Sequence, residues 1–227
     1  MTPELMLKPA PELSPEPGPE LTPEQLDAFA AAFATLGQIH RKALDASGLA
    51  AFLALRDQWP LLDTPKAREG LAALTRSAKL GESAEQISAD HNWLYGDTAR
   101  AAVPPYESVH RGVEALLFDE ATLQVRAAYR ELGLVAPRLN REPDDHIGLE
   151  FDFLAQASLK AQDALADARA GDAEQFLDAA RDFLHEHVQQ WAPGMLGQVA
   201  AGAGTQFMAG VALLSLGALE SLAAALD

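Results

Sequence analysis

The sequence predicts an all-α chain, a helical bundle of two helical halves joined by a Pro-rich hinge. Three observations carry this. Apolar residues recur at three- and four-residue spacing, as in Leu26, Phe29, Ala30, Phe33 and Leu36. The tetrapeptides Thr22-Pro23-Glu24-Gln25 and Ser83-Ala84-Glu85-Gln86 read as capping boxes, in which a hydroxyl and a side-chain amide three residues on satisfy free backbone N–H groups at a helix start. No stretch alternates apolar and polar residues as a half-buried strand would.

Residues 1–21 read as a disordered tail, because seven of the 14 prolines precede residue 24 and are interleaved with glutamates. The N-terminal half spans 22–96. Its first helix opens at the Thr22 box with Pro23 at a first-turn position. A second is capped by Ser47, carries Leu49, Phe52, Leu53 and Leu55, and stops at Trp59-Pro60. A third runs over 65–79 with Gly81 beyond its end, and a fourth runs from the Ser83 box to Gly96.

The hinge is 97–107, where Gly96, Pro104 and Pro105 interrupt periodicity. The C-terminal half, 108–227, starts with a helix bearing Val109, Val113, Leu116 and Leu117. A second carries Leu123 to Leu132 and ends at Gly133 in a left-handed cap. After a loop over 134–143, Asp144 or Asp145 caps a long helix that Gly171 ends. Asp172 starts the next, which breaks at Trp191-Ala192-Pro193-Gly194. One or two helices over 196–226 close the chain.

Composition limits function. The 227 residues include no cysteine, which excludes disulfides, thiol nucleophiles and Cys-based zinc sites and fits the cytoplasm. The N-terminus has no basic region followed by an apolar stretch, so no secretory signal is expected. The run 207–219 is short of the roughly 20 residues of a membrane span, so stable insertion is not expected. Seventeen basic against 33 acidic residues, a net charge of -16, disfavour nucleic acid and permit a cationic partner.

Two stretches carry candidate chemistry: Pro104-Pro105-Tyr106-Glu107-Ser108-Val109-His110, and Pro143-Asp144-Asp145-His146-Ile147-Gly148 leading into Leu149-Glu150. His146 and Glu150, four residues apart, share a helical face, so the carboxylate could orient the imidazole. A helix N-terminus disfavours a protonated His146 while Glu150 favours one, so residue types leave its charge open. The plain alternative is that Asp145 only caps a helix and His146 sits at its boundary. For Tyr106 and Ser108 that alternative is turn chemistry around the prolines. Trp93 and Tyr95, with Asn92, precede the hinge and could line a groove there, although aromatic residues at helical spacing more often belong to a core.

In combination and order these stretches resemble the TorD-like (TorD/DmsD) family, whose members show a Pro-Pro-Tyr-Glu-Ser-Val segment and then a Pro-Asp-His-Ile segment heading a helix. The resemblance extends over 26–222 and includes Phe183-Leu184-His185 and Trp191-Ala192-Pro193. This chain departs where it reads Trp93-Leu94-Tyr95-Gly96-Asp97 in place of Arg-Leu-Phe before Gly-Pro, and has His110 in place of a tyrosine. The resemblance implies a cytoplasmic chaperone without catalytic role. It would bind the twin-arginine signal peptide or apo form of a molybdopterin oxidoreductase and assist cofactor insertion before export. The client-binding residues it implies are Asp145, His146, Glu150, Tyr106, Glu107, Ser108, Trp93 and Tyr95. It leaves a homodimer open.

No cofactor is expected. The family has been linked to guanine nucleotides, but this chain lacks a phosphate-cradling glycine loop ending in Lys-Ser or Lys-Thr. No metal is expected either, since His185 and His187 are two apart and point to different helix faces. A metal-dependent hydrolase on a helical bundle is the competing enzyme reading, and a helical interaction module of unrelated role is the third. For the chaperone reading, exchanging Asp145 or Glu150 for its amide is expected to weaken client binding while folding survives.

Overall fold

A computed structural model describes residues 21–96, 101–112, 117, 120–136 and 143–227. Residues 1–20 of the expected 1–21 tail, the hinge residues 97–100, Val113 and Leu116, and most of the 134–143 loop lie outside the described residues, while Leu21 is described and buried. Ten α-helices and no strand occur among the described residues: α1 (Pro23–Arg41), α2 (Ala46–Leu55), α3 (Pro65–Leu80), α4 (Ala84–Tyr95), α5 (Glu107–Arg111), α6 (Glu120–Glu131), α7 (Ile147–Ala166), α8 (Ala170–Phe183), α9 (Gln189–Gly202) and α10 (Gln206–Leu226). A short 3₁₀ turn follows α2 at Arg56–Gln58, and a π turn at Leu184–Val188 joins α8 to α9.

Local chemistry sets several boundaries as expected. Thr22 and Ser83 both close complete capping boxes, with Gln25 and Gln86 reaching back to the cap. Gly81 (φ 68°) and Gly133 (φ 70°) adopt the left-handed conformation that stops α3 and follows α6.

Other boundaries differ. Asp45 rather than Ser47 caps α2, its carboxylate accepting from the Gly48 N–H at 2.8 Å, and Ser47 donates to the same oxygen. The helix that begins the C-terminal segment is only five residues long. The long helix ends at Ala166 and turns through Ala168 (φ 56°), while Gly171 already lies inside α8. Asp172 does not cap α8; it pairs with Arg169, the residue before that helix. Nor does Trp191-Ala192-Pro193-Gly194 break the chain: Pro193 sits within α9, where its missing N–H forfeits one helical bond. Burial of Trp191, Ala192, Met195 and Leu196 on one face keeps this segment helical, with the wider π turn immediately before it.

Packing is organised by two long contacts, α1 along α7 and α3 along α10, with α8 and α9 flanking α7 and α10. Phe33 meets Phe151 edge to face at 5.3 Å, and both are sealed from solvent. Glycine permits the closest approaches, since a Cβ at Gly70 would stand 2.7 Å from the Leu214 amide nitrogen. Residues of 22–96 and of 108–227 thus contribute to one continuous apolar cluster. Each large side chain sealed there, such as Leu26, Leu36 or Leu154, is worth about 1.5–3 kcal/mol.

By length and composition alone the 21 residues of α10 would suffice to cross a bilayer, although the apolar run 207–219 within it is shorter. Burial accounts for that apolarity, because 67% of its most apolar window lies inside the protein. Its N-terminus is tied down by two carboxylates from the other segment. Glu82 accepts from the Gln206 and Phe207 N–H groups, and Asp90 accepts from Gly204, Thr205 and the Thr205 hydroxyl.

Candidate functional site

The two motif stretches are clipped together antiparallel. Ile147 N–H donates to the Pro105 carbonyl at 2.9 Å and Glu107 N–H to the Asp145 carbonyl at 3.0 Å, placing Tyr106 opposite His146. Asp145 then caps α5 rather than α7: one carboxylate oxygen accepts from Ser108 N–H at 2.7 Å and the other from the Thr122 hydroxyl at 2.6 Å. Asp144 pairs with Arg126.

His146 is the cap of α7. Its Nδ1 accepts from Gly148 N–H at 2.9 Å, which requires a neutral ring at that nitrogen. Burial, then the positive charges of Arg41 and His91, push this imidazole down to about 3. The question of its charge is therefore answered in favour of the neutral form, even though part of the ring remains exposed. Its ring stands edge-on to Tyr106 at 5.1 Å.

Behind the clip lies a buried polar cluster. Glu107, Ser108, Asp145 and Glu150 all have zero exposure. Glu107 pairs with Arg111, and His187 Nδ1 lies 3.1 Å from its other oxygen. Trp191 Nε1–H donates to Glu150 at 3.0 Å, and His110 stacks obliquely on the Trp191 ring at 5.2 Å. Burial, then the negative charges of Glu107 and Asp145, raise the Glu150 carboxyl well above its ordinary range, while the Trp191 bond opposes them. The expectation put these carboxylates on a recognition surface; the structure turns them into the core.

Tyr95 is likewise internal. Its hydroxyl lies 2.9 Å from His40 Nδ1, and His40 Nε2 lies 2.8 Å from Ser215 Oγ, which itself donates to the Val211 carbonyl. That chain assigns the tautomer: Tyr95 donates to Nδ1, and Nε2–H donates to Ser215. Burial first, then the nearby His146 and His91, push His40 down to about 3. Trp93, 55% exposed, projects elsewhere, with its ring edge 4.0 Å from where a Gly202 Cβ would stand.

Of the residues singled out in the sequence, Tyr106 and His146 reach an open groove of about 1360 Å³. Asn92 lines it as well. Its walls are the end of α1 (Arg41, Lys42), the start of α2 (Leu44, Asp45), the exposed face of α4 (Glu85, Ala89) and Pro143. Charges of both signs border it. Hydrogen bonding from the Gly48 backbone holds Asp45 below the usual carboxylate range, so an exposed anion is permanent at one edge. Sequence reasoning missed the α1–α2 wall because nothing local marks Arg41 and Lys42 as neighbours of residues a hundred positions away. Among the described residues no three His, Asp or Glu side chains gather as metal ligands.

The family model of the nitrate reductase delta subunit matches residues 62–196, which include both motif stretches and the α4 wall of the groove. Chaperone protein TorD of Photobacterium profundum is 26% identical over 134 residues, 57% of this chain and 61% of that protein. Chaperone protein TorD of Aeromonas salmonicida is 31% identical over 130 residues, 57% of this chain and 55% of its own. The chlorate reductase assembly chaperone protein of Ideonella dechloratans is 49% identical over 53 residues, 23% of this chain and 26% of its own. The chain spans about half the length of most of the curated relatives it matches.

Proposed function

This chain belongs to the nitrate reductase delta subunit family, the TorD-like family, and from that premise we propose that it is a cytoplasmic chaperone of a molybdopterin oxidoreductase. It binds the apo form or the twin-arginine signal peptide of that client and holds it until the cofactor is in place. Its role is binding and not turnover. The observation that carries this reading is that the two family motifs meet at one point and present Tyr106 and His146 to an open groove.

The groove suits an extended peptide. Leu44, Ala89 and the Tyr106 ring offer apolar contact, and Asp45 and Glu85 offer exposed carboxylates to arginine side chains. The buried Glu107, Asp145 and Glu150 serve by fixing Tyr106 and His146 in place. Arg41 and Lys42 on the same wall penalise a uniformly basic ligand and favour one whose arginines are spaced by neutral residues.

The test is titration calorimetry of the full chain with a twin-arginine signal peptide, comparing wild type with Ala89→Trp. Ala89 is exposed on the groove wall, so the indole should occlude the groove without disturbing the core. Loss of binding at unchanged melting temperature supports the reading. Wild-type affinity in Ala89→Trp removes the groove from it, and a wild type that binds the mature apoenzyme but no signal peptide shifts docking to the client's body.

A further inference from the structure

The clip between the motif stretches is backed by two buried carboxyl groups, and the charge of Glu107 is the largest that acts on Glu150. Glu107 and Glu150 are both fully enclosed, and Asp145 adds a third carboxyl at the same junction. The cationic partner of Glu107 is Arg111, one helical turn on. Glu150 receives a single hydrogen bond, from Trp191, and its other oxygen has no partner among the described residues.

An oxygen with no donor, enclosed and facing other carboxylates, is a poor place for a charge and a good one for a proton, which gives Glu150 an O–H to direct at Glu107. The other ionisable groups around the pair are His110 on α5, His187 in the π turn and Tyr129 on α6. Burial, then the charges of Asp152, Glu150 and Asp144, raise the Tyr129 hydroxyl well above its usual value, so it stays neutral as well.

We infer that Glu107 and Glu150 form a proton-linked latch: one proton held between them keeps residues 105–112 fastened to α7 and the π turn, and its loss to water releases that segment. With the proton in place, Glu107 is free to hold Arg111 and His187, and Arg111 also donates to the Glu186 carbonyl at 2.9 Å. Without it, two like charges face each other out of water, and the strand that can yield is the short one, because α5 is five residues long while α7 is embedded in the core. Tyr106 and His146 stand on either side of the clip and line the groove, so the latch couples proton occupancy to groove shape. It stands whether or not the groove holds a client.

Hydrogen exchange of the full chain tests this. The amides to follow are Glu107, Ser108 and Ile147, which donate across the clip, with Val211 and Leu214 in α10 as internal references. Between about pH 5 and 9, after correction for intrinsic rates, clip protection in wild type should fall by up to about tenfold per unit as pH rises from the ordinary glutamate range toward the raised Glu150 value, and level off above it, while the references hold. Glu150→Gln, which keeps an acceptor for Trp191 and cannot ionise, should change less than about twofold over the same range. If that variant does not fold, Glu107→Gln removes the other charge of the pair and is read in the same way. Clip protection in wild type that does not change over this range, or the same pH dependence in Glu150→Gln as in wild type, overturns the latch.

Discussion

Gly37 of α1 and Gly148 of α7 touch backbone to backbone: a Cβ at Gly37 would stand 2.7 Å from the Gly148 carbonyl oxygen, and one at Gly148 would stand 2.5 Å from the Gly37 oxygen and 2.4 Å from Arg41 Cγ. The glycine after His146-Ile147 in the second motif is thus a packing residue that lets the aliphatic stem of Arg41 lie over the start of α7. Since backbone cannot yield as a side-chain tip can, Gly148→Ala should destabilise by about 1–3 kcal/mol. Gly197, in an exposed stretch of α9 with nothing within 4 Å, is the control, and Gly197→Ala should be neutral or stabilising by up to about 1 kcal/mol. Urea midpoints of the two variants check both signs.

The acid limb of the stability profile should be set by buried imidazoles. His40 is enclosed and held at about 3, while in the unfolded chain it takes up a proton near 6.5. Between those values the unfolded state binds more protons, so stability must fall as pH drops from about 6.5 toward 3, by a few kcal/mol for this group. His146 acts in the same direction, with part of its ring at the groove. Glu150 has the opposite sign: its raised value means the folded state holds a proton the unfolded state has lost, so its contribution fades as pH rises from the ordinary glutamate range through the raised value. Glu150→Gln should remove the second slope and leave the first, as read from urea midpoints across pH.

Trp93 and Tyr95 separate cleanly. Tyr95→Phe removes the donor to His40 Nδ1 inside the core and should cost about 1–3 kcal/mol, because the imidazole acceptor is left unpaired. Trp93→Ala, on an indole 55% exposed, should stay within about 1 kcal/mol of wild type. Thermal unfolding of both variants measures the difference.

What could be read in the sequence is what is local. Thr22 with Gln25, Ser83 with Gln86 and the turns at Gly81 and Gly133 are each decided within a few residues, so a four-residue pattern suffices. Pro193 misled because the preference of one residue was outweighed by the buried face formed by Trp191, Met195 and Leu196. The buried carboxylates misled for a related reason. Asp145 and Glu150 occupy positions where a solvated anion is the ordinary expectation, and their partners Thr122 and Trp191 lie 23 and 41 residues away in the chain. Only tertiary structure shows that the motifs buttress a groove whose other wall comes from α1 and α2.

Asp145 gives the sharpest consequence of that burial. An amide in its place was expected to leave folding intact, on the ground that asparagine caps a helix as well as aspartate does. Here the carboxylate caps α5 and also takes the Thr122 hydroxyl, both fully enclosed. Asparagine can keep the Ser108 N–H only by turning its NH₂ toward Thr122, whose hydroxyl must then accept rather than donate, leaving its own proton without an acceptor. Asp145→Asn should therefore destabilise by about 1–3 kcal/mol, or several degrees in melting temperature for a chain of this size. Thr122→Ala in that background should add little, so a double-mutant cycle should return a coupling of about 1 kcal/mol. The backbone bonds of the clip survive, so the folded fraction of Asp145→Asn should bind a signal peptide within about threefold of wild type, a difference below 1 kcal/mol. A tenfold loss of affinity at unchanged melting temperature would instead put Asp145 in contact with the ligand, which its enclosure in this conformation does not allow.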